Sequence, residues 1–302
     1  MSLTKKIDFA LIIGVQNANP NGDPLNGNRP RADFFNIGEI TDVCLKRKIR
    51  DRLQENGEVI FVQSDEKKTD GMASLKNRAE SEEFGLGKSA FEFKKGDKDK
   101  SKKKDQTKSA ACAKWFDVRT FGQVFAFGKG QNEDGVSIPI RGPVTIQSAF
   151  SVQPIRIIDN QIVKSVDSDN TEGKKARMGM KYRIDKGIYV AFGAMSPQLA
   201  ERTGFSDDDS EKIKAVLTKL FEGDASSARP EGSMQVLKLI WWEHNSKAGQ
   251  YSSAKVHGKL KEIIEEKIKN KSIDGLIGDI TEEKLTVTGN GASLKPEILD
   301  GF

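Results

Sequence analysis

Histidine is the commonest general base and metal ligand, and this 302-residue chain has two, His244 and His257. A histidine-based triad or a multi-histidine metal centre lacks material. His244 closes an aromatic strand and reads most simply as a strand-end residue. Gly87-Lys88-Ser89 has the ending of a phosphate-binding P-loop, but Glu82 stands where the first glycine belongs, which removes the backbone cradle and excludes ATP. Asp23 and Asp33 lie in or beside a long first loop, where a metal or a phosphodiester could reach them, although a lone loop aspartate is commonly a turn residue. Asn270-Lys271-Ser272 matches a glycosylation acceptor only formally. From these residues we assign no catalytic group, no metal and no cofactor.

Phosphate binding is the chemistry the sequence favours. Lys46 and Arg50, and Lys48 and Arg52, recur at i and i+4 with Arg47 between them, and Arg29 and Arg31 lie just upstream. Such a stripe can track phosphates along a strand, or it can be a solvated helix face paired with Asp42, Asp51 and Glu55. A thin basic excursion over 158–183 carries Lys164, Lys174, Lys175, Arg177, Lys181 and Arg183. The turn Ser226-Ser227-Ala228-Arg229 offers hydroxyls, backbone N–H groups and a guanidinium together. No RNP-type aromatic octet lies on a strand, so contacts should fall on the nucleic-acid backbone, with weak sequence preference and strong salt dependence.

Between Lys94 and Lys108 stand eight lysines and three aspartates, a local +5 that equals the net charge of the whole chain. With no apolar residue between Phe93 and Ala110, this stretch is expected to be a mobile surface loop, either an electrostatic arm for phosphates or a solubilising insertion. Cys44 and Cys112 are far apart and in no C-x-x-C arrangement, which fits free thiols in a reducing compartment. No apolar h-region follows the start and no apolar run approaches ~18 residues, so a cytoplasmic chain without membrane association is expected.

The elements that must position these groups follow from periodicity. Residues 6–15 alternate with a second face that is also largely apolar, which predicts a central strand. A long loop rich in Asn, Pro and Gly follows, and then helical spacing over about 38–56. Val59–Val62 reads as a short strand, Cys112–Gly128 as partly core, and Gly187–Met195 as a strand. Ser206 opens a helix whose stripe Ile213, Val216, Leu217, Leu220 and Phe221 is closed by Gly223; a strand from Met234 and a final amphipathic helix follow. The order predicts an α+β fold of split βαβ type with helices on one face of the sheet.

Four segments carry a resemblance: Asn17-Ala18-Asn19-Pro20-Asn21-Gly22-Asp23-Pro24 after the first strand, Asp117-Val118-Arg119-Thr120-Phe121-Gly122, Arg141-Gly142-Pro143-Val144, and Asp224-Ala225-Ser226-Ser227-Ala228-Arg229. Together they resemble the Csd-two family, the backbone subunit of the subtype I-C CRISPR surveillance complex, Cascade, within the Cas-seven superfamily. The resemblance implies a right-hand shape: an RRM-like (ferredoxin-like) palm over 1–64, 113–157 and 184–302, a helical finger insertion over 65–112, and a thumb β-hairpin over 158–183. It implies copies that polymerise head to tail along crRNA, kink it at about every sixth nucleotide and leave the other bases to pair with target DNA, while other subunits cap the crRNA ends. The implied RNA-binding residues are Arg29, Arg31, Lys46, Arg47, Arg50, Arg141, Lys174, Lys175, Arg177, Met178 as an apolar wedge, Ser226, Ser227 and Arg229; Lys102, Lys103 and Lys104 are candidates for DNA. The implied subunit is not an enzyme. The alternative is a metal-dependent ribonuclease of the same superfamily, with Asp33 in the catalytic loop, that cuts bound target RNA.

Overall fold

The alternating segment Ile7–Ala18 is the central strand β1, and in this computed structural model the remaining elements are arranged around it. The structure describes residues 1–93, 99–127, 136–163, 178–270, 273, 275–289 and 292–302. After β1 come β2 (Gly22–Asp23), β3 (Arg29–Pro30), β4 (Ile37–Ile40), α1 (Asp42–Glu55), α2 (Leu75–Glu80), α3 (Lys100–Lys114) and α4 (Phe116–Phe121). Then follow β5 (Gly122–Phe127), β6 (Val136–Arg141), β7 (Val144–Ile146), β8 (Ala149–Pro154), β9 (Ile157–Val163) and β10 (Met178–Met195). The chain continues through α5 (Pro197–Thr203), α6 (Asp207–Thr218), β11 (Met234–Glu243), α7 (Ser253–Lys269), α8 (Leu276–Asp279), α9 (Glu282–Leu285) and β12 (Glu297–Asp300).

Among the described residues the main sheet is antiparallel, with the order β12-β11-β1-β10-β8-β4, and β7 and β9 pair with other stretches of the long β10. The expected mixture of helices with a sheet is present. Strand β1 leads through the first loop to α1, and β10 leads through α5 to α6, so that β1, β8, β10 and β11 lie in the order β11-β1-β10-β8. Odd positions of β1 (Phe9, Leu11, Ile13, Val15) pack with Leu45, Ile49 and Leu53 of α1 and Ile213, Val216 and Leu217 of α6. Even positions (Ala10, Ile12) join Val190, Phe192, Ile240 and Trp242 beneath Val256, Leu260 and Ile263 of α7. Helices therefore cover both faces, which corrects the one-face expectation. The apolar second face of β1 demanded a cover, and full burial of each aliphatic side chain contributes about 1.5–3 kcal/mol.

Local differences from the sequence reading have local causes. Gly38 and Ile40 belong to β4 rather than α1, and Tyr189 packs so tightly on Gly38 that a Cβ there would lie 2.4 Å from its hydroxyl. Helix α6 stops at Thr218; Leu220 and Phe221 are buried from a turn that ends at Gly223, where φ is +62°. Val59–Val62 is not a strand, because the N–H groups of Phe61 and Val62 donate to the Asp117 carboxylate at 2.7 and 3.0 Å instead of to a ladder.

The lysine-rich stretch is corrected as well. Residues 94–98 lie outside the described residues, but Lys100–Lys114 is helical. Lysine and alanine are good helix formers, and Thr107, Ala111 and Cys112 give α3 a narrow buried stripe. That stripe joins a separate core of Phe61, Phe91, Phe93, Trp115, Phe125 and Ile138, in which Phe61 lies 4.7 Å from Trp115 and 5.1 Å from Phe125 between ring centroids. Both thiols are free, and burial pushes Cys112 up to about 11.

Candidate nucleic-acid interface

The first loop is built by its own asparagines. Asn17, Asn28 and Asn36 take left-handed φ values of 53°, 61° and 60°, a conformation asparagine tolerates better than most residues. Asn19, buried at the end of β1, donates from Nδ2 to the Asn28 carbonyl at 2.6 Å. The Asn21 side-chain oxygen accepts from both the N–H and the hydroxyl of Thr41, the residue that caps α1. At Gly22 a Cβ would lie 2.0 Å from the Asn28 side chain, and Asp23 caps the short turn that begins at Pro24. The Asn-Pro-Asn-Gly-Asp-Pro run thus fixes the loop against the start of α1.

This loop and the 224–229 turn meet at one end of the sheet. The Asn19 N–H donates to the Ala228 carbonyl at 2.9 Å. Asp224 holds both Lys48, in a close ion pair, and Arg229, whose Nε donates at 3.2 Å. Burial holds the Lys48 ammonium below its ordinary value, against the pull of Asp224. Burial pushes the Cys44 thiol up, against the fields of Lys48, Arg229 and Arg31. Ser226 and Ser227 are exposed on the turn, which closes on itself through Arg229 N–H to the Ser226 carbonyl at 3.0 Å and to its hydroxyl at 3.2 Å. Arg31 pairs with Asp23 at 3.4 Å, and Arg29 pairs with Asp159 at 3.1 Å while resting over the Tyr182 ring. A cleft of about 440 Å³ lies among Asp23, Arg29, Arg31, Asp33, Glu39 and Phe150.

Asp159 and Tyr182 belong to β9 and β10, which pair from Ile157↔Ile184 to Val163↔Met178. This ribbon is an extension of the central strand β10, so its base is rigid. Ile162, Val163, Met178 and Met180 are exposed on it. Lys174, Lys175 and Arg177 lie outside the described residues.

The remaining sequence candidates have the following surroundings. Lys46 is half-buried and pairs with Asp42 at 3.0 Å. Arg47 pairs with Asp51 at 2.8 Å and donates to the Val62 carbonyl, and Arg50 reaches the buried Asp117 at 3.0 Å. Lys103 and Lys104 donate to the carbonyls of Glu92 (2.6 Å) and Ser137 (3.0 Å) with their ammonium groups over Phe93, whereas Lys102 is exposed. Arg141 is exposed, and Gly142 behind it packs where a Cβ would lie 2.3 Å from the Thr120 carbonyl and 2.4 Å from the Gly122 nitrogen. Arg119 grips Asp209 through two bonds of 3.0 and 2.9 Å, locking α4 to the start of α6. The Asp117–Gly122 and Arg141–Val144 segments are thus a joint between the aromatic core and the sheet.

Sequence reasoning missed one cluster. His244 Nε2 lies 2.8 Å from the buried Asp8 carboxylate, its Nδ1 accepts the Gln250 N–H at 2.9 Å, and His257 Nε2 lies 3.7 Å from Asp8 and 3.2 Å from the Gly193 carbonyl. Both histidines of the chain therefore meet one aspartate from two strands and a helix, a proximity that spacing in the sequence does not encode. Burial alone would raise Asp8, but the bonds from His244 and Ser253 and the charge of Lys6 hold it below the usual carboxylate range. Burial holds His257 below its ordinary 6.5, against the attraction of Asp8. Both depressions act in one direction: the unfolded chain takes up protons before the folded chain does, so stability falls as pH drops below about 6.5 and further below 3.8. Thermal unfolding between pH 7.5 and 5 should show a falling midpoint, with a shallower fall in His257→Asn. An equal slope in both would remove His257 as the cause. Among the described residues no group of three or more His, Cys, Asp or Glu side chains could hold a metal ion, and no helix is long and apolar enough to cross a membrane.

Sheet, joint and gathered cations define an α+β protein whose charged loops converge at one sheet end. The chain belongs to the CRISPR-associated protein Cas7 family, whose model matches residues 5–281. A relative from Haloferax volcanii, a CRISPR-associated protein Cas7, is 28% identical over 242 residues, covering 75% of this chain and 67% of that protein. Among solved structures, a chain of a CRISPR RNA-guided surveillance complex in a pre-nicking state aligns over 89% of both chains at 15% identity and a TM-score of 0.45. A chain of a type III-B Cmr-beta complex bound to cognate target RNA aligns over 78% of this chain and 60% of its own, at 10% identity and a TM-score of 0.41.

Proposed function

We propose that this chain is the crRNA-binding backbone subunit of a subtype I-C CRISPR surveillance complex, a non-catalytic scaffold of the cytoplasm. The observation that carries this reading is that the first loop and the 224–229 turn, with Arg229 and the exposed Ser226 and Ser227, are joined to each other and to α1 by Asn19, Asn21 and Asp224, in a member of the Cas7 family. Cations and hydroxyls on loops suit phosphates, and a protein that holds phosphates leaves base edges free to pair with target DNA. The sheet with α1 and α6 serves as an RRM-like palm, the Trp115 core as the finger and the β9–β10 ribbon as the thumb. The sheet face that an ordinary RRM offers to bases is occupied by α7, which supports backbone holding rather than base stacking.

In this reading copies assemble head to tail along crRNA, other subunits cap its ends, and the thumb bends the strand with the exposed Met178 as wedge. Lys102, Lys103 and Lys104 are the candidates for DNA, with Lys102 the accessible one. A ribonuclease reading receives less support, because Asp33 Oδ1 already accepts the N–H groups of Phe35 and Ile37 at 2.8 and 2.9 Å. Cleavage of a bound target RNA that disappears in Asp33→Ala would reverse that judgement. The principal test is nuclease footprinting of the chain as purified. A protected ladder with a period near about six nucleotides is expected of a guide-holding filament; a nucleic-acid-free chain that also ignores added RNA would overturn the reading.

A further inference from the structure

Two features of the surface are left without a use by phosphate binding. Phe34 and Phe35 are 104% and 79% exposed, two adjacent aromatic side chains left almost wholly in water. They are presented by a closed loop: Ala32 bridges to Gly38, the Asp33 N–H donates to the Ile37 carbonyl at 3.0 Å, and the Asp33 carboxylate fixes the N–H groups of Phe35 and Ile37. A loop backbone fixed before contact loses little further freedom on docking. Paired exposed aromatics on a preorganised tip mark an interaction site.

The second feature is a cleft of about 760 Å³ on the α7 face, where the sheet runs on beyond the helix. Its floor is Val152, Ile188, Leu237 and Ile277, and Gly14 keeps it open: a Cβ there would meet Leu237 at 3.2 Å. The volume lies within the ~300–1,000 Å³ of cavities that enclose small ligands, ample for two phenyl rings. The charges are opposite as well. Around the loop side Asp23, Asp33 and Glu39 outnumber Arg29 and Arg31, and around the cleft Arg156 and Lys186 outnumber Asp185.

We infer that the Phe34-Phe35 tip of one copy docks in the α7-face cleft of the next copy. The occupant is a second copy of this chain, because the rings are free in their own copy while the same chain carries the cleft and the opposite rim charge. Tip and cleft are different surfaces, so the contact is heterologous and generates an open chain of subunits rather than a closed dimer. This inference rests on the head-to-tail reading above and supplies its apolar anchor.

The test uses the full-length chain freed of nucleic acid, studied by sedimentation velocity over rising concentration, with a gel shift on a short single-stranded RNA in parallel. Wild type is expected to form dimers and longer species. Phe34→Ser/Phe35→Ser and Ile277→Glu should each sediment as monomers, with the association constant lowered at least about thirtyfold as for other aromatic anchors. An equimolar mixture of the two variants keeps one intact tip and one intact cleft, so it should give dimers and nothing longer. Should Ile277→Glu disturb α8, shown by a lowered melting point, Arg156→Glu/Lys186→Glu tests the cleft from its rim. Variants that associate like wild type, or a wild type that stays monomeric while shifting RNA, overturn the docking and leave RNA holding intact. A wild type that shifts no RNA overturns the functional reading instead.

Discussion

Replacing Asp117 with alanine is expected to destabilise the chain by about 3–5 kcal/mol, because it leaves the largely covered Arg50 cation and the amides of Phe61 and Val62 without their acceptor. Asp117 is 1% exposed and takes Arg50 Nε at 3.0 Å together with the N–H groups of Phe61 and Val62. These contacts join α1 to the segment that enters the aromatic core and to the helix that leaves it. Such a loss exceeds what the removal of a surface pair would cost, about 0–1 kcal/mol, so the partly exposed i,i+4 pair of Lys46 and Asp42 is the natural control. Chemical denaturation of Asp117→Ala and Lys46→Ala should separate the two classes clearly. Arg50→Glu should resemble Asp117→Ala, since it sets two carboxylates against each other. An Asp117→Ala variant within 1 kcal/mol of wild type would mean that the joint does not couple the two cores.

The fold was legible where burial leaves a periodic trace. The alternation of β1 and the stripe of α6 survive in the structure because both are dictated by apolar side chains that must leave water. Elements were misread where side-chain bonds replace backbone ladders or where helix propensity is satisfied with little apolar surface. Val59–Val62 looks like a strand by composition, but Asp117, more than fifty residues away, takes its amides. The lysine-rich stretch looks unable to fold, yet three small buried side chains and folded-back lysine stems suffice to hold α3. The same limit applies to the site. The basic character of α1 is plain in the sequence, but which cations face inward depends on partners from distant segments: Asp117 for Arg50 and Asp224 for Lys48. The motif residues that carry the family resemblance serve mainly to shape the loop and lock the joint, and so they reveal the site only indirectly.

That distinction between shaping and binding gives the prediction with the largest effect on RNA. Arg31→Ala/Arg229→Ala should weaken binding to single-stranded RNA by about a hundredfold or more, since each charge-assisted contact to a phosphate contributes about 1.5–3 kcal/mol. The fold should tolerate the change: both guanidinium groups are partly exposed, and Asp224 keeps Lys48 as its partner when Arg229 is lost. Loss of affinity alone does not identify a phosphate contact, so the decisive quantity is the salt dependence. Each phosphate neutralised on a single strand contributes about 0.7 to the slope of log K against log salt, and two lost contacts should flatten that slope by about 1.4. Lys46→Ala, whose cation already pairs with Asp42 at 3.0 Å, should cost less than about tenfold. The loss should be the same for RNAs of different sequence, because the groups involved read the backbone. Weakened binding with an unchanged slope would place Arg31 and Arg229 among the residues that shape the loop, and would move the phosphate site to the exposed Arg141 or to the β9–β10 ribbon.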